Sequence, residues 1–321
     1  MDKSAKFQNR HFVVVRRFNK PAGGDMGNLN DGLFLVKCRD DGRYYIEKRL
    51  MPRDIMNGHA LYEYQALKHV IKHPNILSVV ACDLDKRRAY GSIWMEYCSL
   101  GALDMVIARY RERRAYIPEP FIWSVFGAIS VALCYLYTGV DVELEVGNRQ
   151  TIPPVRGSSS WDKVYHRDIK PGNIFLTEYS TSGEVYPKPI LGDFGCAALQ
   201  SDINRGRRGI AASRFSPAFE PPENRSGTGA YKATSDIYQL GLVIHCMARN
   251  LVVPDQNARG DRPVGGPYTS ELNYLVRKCI DYDYSRRPHP SELPHLIDVA
   301  SQRADSQIRR SLAPLPRWAL S

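Results

Sequence analysis

The chain has 321 residues, 43% of them hydrophobic and 24% charged, which is ordinary for a globular protein and excludes a disordered or collagen-like chain. Of a net charge of +10, residues 1–20 carry +5 and residues 302–321 carry +3. Because a nucleic-acid-binding domain is expected to hold its basic residues on its folded body, this distribution argues against nucleic acid as a partner and predicts solvated basic ends.

Two regions of different character follow one another along the chain. Up to Glu96, short β-branched and aromatic runs between Gly and Asp turns predict strands, and one helical pattern interrupts them. After Gly101, helical patterns dominate. The predicted strands cover 11–18, 32–38, 43–49, 76–82 and 90–97, and the predicted helices cover 60–71, 102–115, 120–137, 235–249, 270–281 and 291–303. The sequence therefore predicts an α+β protein with a small sheet lobe at 12–96, a larger mainly helical lobe at 101–300 and a basic C-terminal tail at 301–321.

Residues 121–140 contain no charged residue and are long enough to cross a membrane. The segment nevertheless contains Ser, Thr and Gly, and Pro118 and Pro120 stand where a helix begins. We therefore predict a buried core helix and no membrane span. The polar stretch 141–162 that follows, rich in Pro, Gly and Ser, predicts a mobile surface excursion.

The chain has seven cysteines, an odd number, and no Cys-x-x-Cys pair. This pattern excludes a zinc ribbon and a thioredoxin motif and argues against a secreted disulfide-stabilised protein. It predicts free thiols in a reducing compartment, and therefore an intracellular protein, cytoplasmic or nuclear.

The most informative motif is HRDIKPGN at residues 166–173, which is followed by Asp193-Phe194-Gly195 and preceded by Lys48. In this order the motifs resemble those of the eukaryotic protein kinase family. The resemblance covers residues 12–300 and implies one catalytic unit with a bilobal fold, in which a small antiparallel sheet lobe with one helix precedes a larger helical lobe.

The resemblance also implies roles for the residues of these motifs. Asp168 corresponds to the carboxylate that orients the substrate hydroxyl, and Lys170 to the side chain that reaches the transferring phosphate. Asn173 and Asp193 correspond to the oxygen ligands of Mg²⁺, a hard cation that prefers such donors. Lys at position 170 accompanies serine/threonine specificity in this family.

The resemblance assigns the nucleotide to residues of the small lobe. Lys48 corresponds to the lysine that binds the α- and β-phosphates of ATP, and Glu63 on the single helix is its candidate partner. Met95 corresponds to the gatekeeper residue, and the backbone of Glu96 and Cys98 to the groups that hydrogen-bond adenine.

The glycine-rich loop departs from the family pattern. Gly27, Gly32 and Phe34 correspond to nucleotide-binding positions of G-x-G-x-x-G-x-V, but Leu29 stands where the second glycine belongs. Ile46 replaces the small residue that usually lies above adenine. These departures support an alternative, a pseudokinase that acts as an ATP-binding or scaffold module.

Residues 215–223 resemble the segment that closes the activation loop and contacts the substrate, and Ser216 belongs to it. Arg167 corresponds to the residue through which many kinases bind a phosphate on that loop. The position that most often carries this phosphate is Ala212, which cannot be modified, so Ser213 is the candidate regulatory site.

Three further residues match structural positions of the family. Glu223 and Arg287 correspond to an ion pair of the large lobe, and Asp236 to a buried acid that braces the catalytic loop. With the hinge and the segments around His73 and Asp193, the motifs are most similar to NIMA-related kinases. We predict a serine/threonine protein kinase that uses ATP and Mg²⁺ and acts on a protein substrate.

Overall fold

The computed structural model describes the residues 12–18, 30–70, 73–142, 155–178, 185–207, 216–225, 231–308 and 312–320. The chain divides into two compact units, and the division falls between Cys98 and Ser99. The first unit contains the sheet, and the second contains most of the helices.

The first unit is built on a five-stranded sheet with the order β1-β2-β3-β5-β4, in which all neighbours are antiparallel. A short helix, α1, was not expected; it begins with Pro52, which suits the first turn of a helix. The elements are β1 Phe12–Phe18, β2 Asn30–Cys38, β3 Tyr44–Leu50, α1 Pro52–Met56, α2 His59–His69, β4 Val79–Asp85 and β5 Tyr90–Glu96.

The strand β4 begins three residues later than the apolar run suggests. Ile76 and Leu77 are buried, but they lie outside the sheet, after a turn in which the amide of Ile76 donates to the carbonyl of His73 at 3.2 Å. An apolar run reports burial and does not by itself distinguish a strand from a packed turn.

The register between β2 and β3 separates two faces of the sheet. Leu33 lies opposite Lys48 and Leu35 opposite Ile46, and directly opposed residues of antiparallel strands share a face. The alternate residues of β2 lie on the other face, where they form a buried cluster. Its members are Phe34, Val36, Cys38, Tyr45 and Ala81.

The second unit combines helices with two small two-stranded sheets, β6 with β9 and β7 with β8. Short 3₁₀ turns connect several of its elements, among them Pro171–Asn173 and Phe194–Cys196. The elements are α3 Leu103–Glu112, α4 Glu119–Thr138, β6 Val164–Tyr165, β7 Ile174–Thr177, β8 Lys188–Leu191, β9 Ala198–Leu199, α5 Gln200–Asn204, α6 Pro222–Arg225, α7 Ala233–Arg249, α8 Ser270–Cys279, α9 Leu293–Ile308 and α10 Arg317–Leu320.

The helix α4 forms the centre of this unit and packs against α7, α9 and β8. Among the described residues it is the one helix long and apolar enough to cross a membrane by length and composition, and 78% of its most apolar stretch is buried inside the protein. That burial agrees with the predicted core helix. Gly139 ends the helix in a left-handed conformation, with φ of 73°, and a Cβ atom there would lie 2.5 Å from the Trp161 ring.

Of the predicted mobile excursion at 141–162, residues 143–154 lie outside the described part of the chain, and residues 156–160 are an exposed loop. The residues that flank this loop are anchored to the protein. Trp161 donates from its indole nitrogen to the carbonyl of Leu136 at 3.0 Å, and its ring lies 5.3 Å from that of Tyr135. The amide of Val155 donates to the carbonyl of Ser291. Aromatic packing onto α4 therefore fixes a segment that composition alone marks as a loop.

The predicted solvated basic tail at 301–321 needs correction. Residues 301–308 continue α9, and a later segment folds back on the unit through the buried residues Leu315 and Ala319. The basic residues of this region are interleaved with apolar ones, and the apolar residues determine where it packs.

The seven cysteines, all of them among the described residues, form no disulfide bonds, and Cys82 is the one among them that is partly exposed.

Candidate active site

The segment 166–173 runs from β6 to β7 and is held by one buried acid. Asp236, on α7, accepts the backbone N–H groups of His166 and Arg167 at 2.9 Å each. Tyr231 donates its hydroxyl to the same carboxylate at 2.5 Å. Burial raises the pKa of Asp236, and the charge of His166 and these hydrogen bonds oppose the shift. Asp236 thus braces the segment, as the sequence predicts.

Gln239 is a second brace that the sequence analysis did not identify. Its side-chain oxygen accepts the N–H of Ile169 at 2.9 Å, and its nitrogen donates to the carbonyl of Phe219 at 3.3 Å. Gln239 is completely buried and lies three residues after Asp236, on the same face of α7. That spacing, ahead of the apolar run that continues α7, is the signal that could have identified it.

Three predicted residues meet around the carboxylate of a fourth, Asp168. Asp168 accepts the side-chain N–H of Asn173 at 3.0 Å and the amide of Ser216 at 3.2 Å. The Nζ atom of Lys170 lies 3.2 Å from Asp168 Oδ2 and donates to Ser216 Oγ at 2.7 Å. Asp168 is only 5% exposed, so its two oxygens are fixed in direction by these partners.

Asp193 and its neighbours are tied to the same segment. Asp193 has a left-handed backbone, with φ of 58°, a conformation that is uncommon for a residue with a side chain and marks local constraint. The ring of Phe194 is fully buried and lies 4.7 Å from that of His166. The amide of Gly192 donates to the carbonyl of Asn173 at 2.9 Å, so Asp193 and Asn173 are linked through the backbone.

In the first unit, Lys48 and Glu63 form a buried ion pair. Lys48 Nζ donates to Glu63 Oε1 at 2.6 Å, and the two side chains are 5% and 4% exposed. Lys48 is on β3 and Glu63 on α2, so the pair joins the single long helix of this unit to its sheet. The structure therefore brings together the two residues that the sequence pairs.

The three residues predicted to lie beside adenine end the first unit. Met95 is buried and lies opposite Ile46 across β3 and β5. The amide of Glu96 donates to the carbonyl of Ser78, and its side chain accepts the amide of Ser78 at 2.7 Å. Cys98 is the last residue of the unit.

The assignment of Phe34 to the nucleotide site is wrong by one residue in register. Phe34 lies opposite Glu47 and packs into the buried cluster, with the guanidinium of Arg49 3.9 Å from its ring centroid. It is therefore on the sheet face opposite to Lys48, whereas Leu33 shares that residue's face. The register shift between Asn30 and Gly32 explains why spacing from a glycine misplaces the strand.

Gly27 and Ser213 lie outside the described residues. Gly32 is described, and a Cβ atom there would lie 2.8 Å from the Phe34 ring. Arg167, predicted to bind a phosphate, is 1% exposed and lies 5.7 Å from the centroid of the Tyr231 ring.

Two contacts hold the segments on either side of residues 208–215. Before them, Asp162 accepts both the amide and the hydroxyl of Ser201, at 2.9 and 2.6 Å. After them, Arg287 donates two hydrogen bonds of 2.8 Å to the carboxylate of Glu223. Burial alone would raise the pKa of Glu223, but hydrogen bonds from Arg287 and Ser235 outweigh it and hold the pKa below its ordinary value.

Residues 161–296 match the protein kinase domain family. The chain is also similar to named protein kinases. It is 25% identical to the G2-specific protein kinase nim-1 of Neurospora crassa over 94% of this chain and 34% of the relative. It is 27% identical to the G2-specific protein kinase nimA of Emericella nidulans, over 92% and 40%. The human serine/threonine-protein kinase Nek2 is 27% identical, over 86% and 58%.

These comparisons confirm the protein kinase fold and the resemblance to NIMA-related kinases. The relatives carry the names of protein kinases, which favours the predicted kinase over the pseudokinase alternative. The chain spans between about a third and three-fifths of the length of these relatives.

Proposed function

We propose that the chain is a serine/threonine protein kinase, which transfers the γ-phosphoryl group of ATP to a Ser or Thr hydroxyl of a protein substrate. The observation that carries the proposal is the hydrogen-bonded group around Asp168, in which Asn173, Lys170 and Ser216 take part. The kinases named above support the same reaction. The substrate is proposed only as a class, a protein with an accessible Ser or Thr.

Asp168 orients the attacking hydroxyl and accepts its proton while the new O–P bond forms and the bond from the γ-phosphorus to ADP breaks. A positioned base of this kind contributes about 10²–10⁴ to the rate. Lys170, hydrogen-bonded to Ser216, neutralises charge on the group in transfer. Phosphoryl transfer needs mainly such positioning and charge neutralisation, because its transition state is loose.

The donor set fits Mg²⁺ that is bound together with ATP. Mg²⁺ is usually held by one or two protein oxygens plus phosphate oxygens and water. Asp193 offers a carboxylate, and because the amide nitrogen of Asn173 donates to two oxygens of Asp168, its carboxamide oxygen is the atom that serves as a ligand. Within the described residues no group of three or more His, Cys, Asp and Glu side chains could hold a metal. When bound, Mg²⁺ neutralises the phosphates.

For the nucleotide, we assign the α- and β-phosphates to Lys48, whose position is maintained by Glu63. The carbonyl of Glu96 and the amide of Cys98 are assigned to adenine, because the amide of Glu96 already donates to Ser78. Leu33 replaces Phe34 as the apolar contact from β2.

The location follows from the thiols. Seven cysteines that form no disulfide bonds suit a reducing compartment, so we propose an intracellular protein, cytoplasmic or nuclear.

The experiment is transfer of labelled γ-phosphate from Mg-ATP by the purified full chain onto a degenerate peptide library with Ser, Thr or Tyr acceptors. We expect labelling of Ser and Thr peptides, and a loss of about 10² or more in kcat for Asp168→Ala. Glu112→Gln, an exposed change, is the control. A Mg-ATP-dependent rise in Tm without transfer would replace the proposal with an ATP-binding pseudokinase, and equal activity of Asp168→Ala would refute the assigned role.

A further inference from the structure

The segment 312–320, called here the C-terminal segment, packs on the helix α3. Its Trp318 ring lies 4.8 Å from the ring of Tyr110 at an interplanar angle of 58°. The guanidinium of Arg113, just after α3, lies 4.9 Å from the Trp318 ring. Arg109 donates to the carbonyl of Ala319 at 3.0 Å. Aromatic, cation–π and hydrogen-bond contacts thus converge on one helix.

The C-terminal segment has the composition of a preorganised ligand. Pro314 and Pro316 restrict its backbone before the short helix α10, and the amide of Ala319 donates to the carbonyl of Pro316 at 2.8 Å. A restricted backbone loses little conformational freedom on docking. Leu315 and Ala319 face the protein and are buried, whereas Leu312 is 53% exposed.

The contact is also limited in extent. Trp318 is only half-buried, and its ring stack with Tyr110, the Arg113 guanidinium, the Arg109 hydrogen bond and two buried side chains form the contact. Contacts of this kind are individually modest. The helix α10 packs mainly on α3 and not on the core helix α4, so we expect the segment to dissociate without unfolding α4.

The other end of α3 lies beside the segment 166–173, called here the catalytic loop. Asp104, in the first turn of α3, has its Oδ2 atom 3.4 Å from the point where a Cβ atom on Gly172 would lie. Burial raises the pKa of the Asp104 carboxyl, and nearby backbone N–H groups and the charge of Lys170 oppose the shift. Asp104 is thus within the electrostatic range of a residue of the proposed active site.

The chain entering α3 is paired with the strand that leaves the catalytic loop. The amide of Leu100 donates to the carbonyl of Leu176 at 3.1 Å, and the amide of Leu176 donates to the carbonyl of Gly101 at 2.8 Å. An isolated bridge joins Ala102 to Phe175. The helix α3 therefore connects the docked segment at one end with the catalytic loop at the other.

We propose that the C-terminal segment is a displaceable intramolecular ligand of α3, and that its docking stabilises the catalytic loop and so raises kinase activity. This inference rests on the proposed function for its activity readout. The docking of the segment and its coupling to the catalytic loop can be measured without catalysis. Failure of this inference can therefore be distinguished from failure of the proposed kinase function.

The test uses the full chain with Trp318→Ala, with Leu312→Ala in the same segment as the matched control, because Leu312 is 53% exposed. We expect Trp318→Ala to lower kcat/KM for a peptide about fivefold or more, in the usual range of coupling between sites, and Leu312→Ala to leave it within about twofold. A synthetic peptide of residues 309–321, added in trans, should restore the activity of the variant. The same peptide with Trp318→Ala should not.

Two measurements do not depend on activity. The labelled wild-type peptide should bind the Trp318→Ala chain more tightly than the wild-type chain, whose own segment occupies α3. Hydrogen exchange at the amides of Leu100 and Leu176 should be faster in Trp318→Ala and should slow when the peptide is added. If Trp318→Ala does not fold, Arg109→Gln, which removes only the bond to Ala319, takes its place.

Unchanged exchange at Leu100 and Leu176 would overturn the coupling, and absence of peptide binding would overturn the docking. An inactive wild-type chain that still shows both effects would refute the proposed function and retain the docking and the coupling.

Discussion

The Nζ atom of Lys170 donates a hydrogen bond of 2.7 Å to the hydroxyl of Ser216, 46 residues further along the chain. Ser216 also donates its amide to Asp168. The segment that follows residues 208–215 is therefore fastened to two residues of the catalytic loop, through one side chain and one backbone group.

Ser216→Ala removes the hydroxyl that accepts from Lys170. Because a hydrogen bond to a charged group contributes about 1.5–3 kcal/mol, we expect kcat to fall about 10- to 100-fold, with KM for ATP nearly unchanged. Steady-state kinetics with a Ser peptide measure both quantities. Ser158→Ala, at an exposed position, should keep wild-type kinetics. A Ser216→Ala variant as active as wild type would show that the hydrogen bond between Lys170 and Ser216 does not contribute to turnover.

Glu63→Ala removes the carboxylate that accepts the hydrogen bond from the buried ammonium of Lys48. Breaking a buried ion pair costs about 3–5 kcal/mol, so we expect a loss of that size in the free energy of unfolding by urea. The double change Lys48→Met with Glu63→Leu, which removes both charges, should be less destabilised than Glu63→Ala. The exposed pair Arg88 with Asp85 supplies the control, because Arg88→Ala, which removes only the ion pair, should cost less than about 1 kcal/mol.

Leu33 and Phe34 are neighbours on β2 but lie on opposite faces of the sheet, so we expect substitutions at the two positions to have different effects. Leu33→Ala should raise KM for ATP about fivefold, because Leu33 lies on the face of Lys48. Phe34→Leu should leave this KM within about twofold and lower the unfolding free energy by about 1 kcal/mol, since Phe34 is in the buried cluster. The reverse pattern would restore the original assignment of Phe34.

Asp236→Asn replaces one carboxylate oxygen with an NH₂ group, which cannot accept a hydrogen bond from a backbone N–H. Either His166 or Arg167 then loses its acceptor, and an unsatisfied buried donor costs about 1–3 kcal/mol. We expect a stability loss of that order in chemical unfolding and a fall in kcat, because the catalytic loop loses a brace. Asp261→Asn, at a side chain 94% exposed, should change neither quantity.

The free energy of unfolding should depend on pH through the carboxyl group of Glu223. Its pKa lies below the ordinary value in the folded protein because the hydrogen bonds from Arg287 and Ser235 outweigh the effect of burial. The unfolded chain therefore takes up the proton first as the pH falls, and the stability present above about pH 4.3 is lost as the pH falls through the folded pKa. Unfolding free energies measured from pH 6 to pH 3 should decline less steeply in Glu223→Gln than in wild type. Glu112→Gln, an exposed change, should keep the wild-type slope.

How well the sequence predicted the site depended on whether the residues belong to one contiguous motif or are counted along a strand. Asp168, Asn173 and Lys170 come from one contiguous motif, and the structure brings them together. Phe34 was misassigned because it was counted from a glycine across a register shift. In a strand, an error of one residue reverses the face.

Contacts between residues far apart in the chain also could not be predicted from the sequence. Gln239 and Trp318 act on segments far away in the chain, the latter on Tyr110. Neither periodicity nor spacing encodes which distant segment a residue meets, because that choice depends on packing of the whole unit. The amphipathic helices, whose pattern is local, were found with ends within a few residues of the structure.

The buried thiols make parts of the fold observable one at a time. A thiol reacts as its thiolate, and burial raises the pKa of Cys82 to about 12 and raises the pKa of Cys134, Cys246 and Cys279 as well. The last three are fully buried in α4, α7 and α8. A soluble thiol reagent can label them only during local opening. The separate labelling rates of the three thiols therefore report how often each of the three helices opens in the native protein.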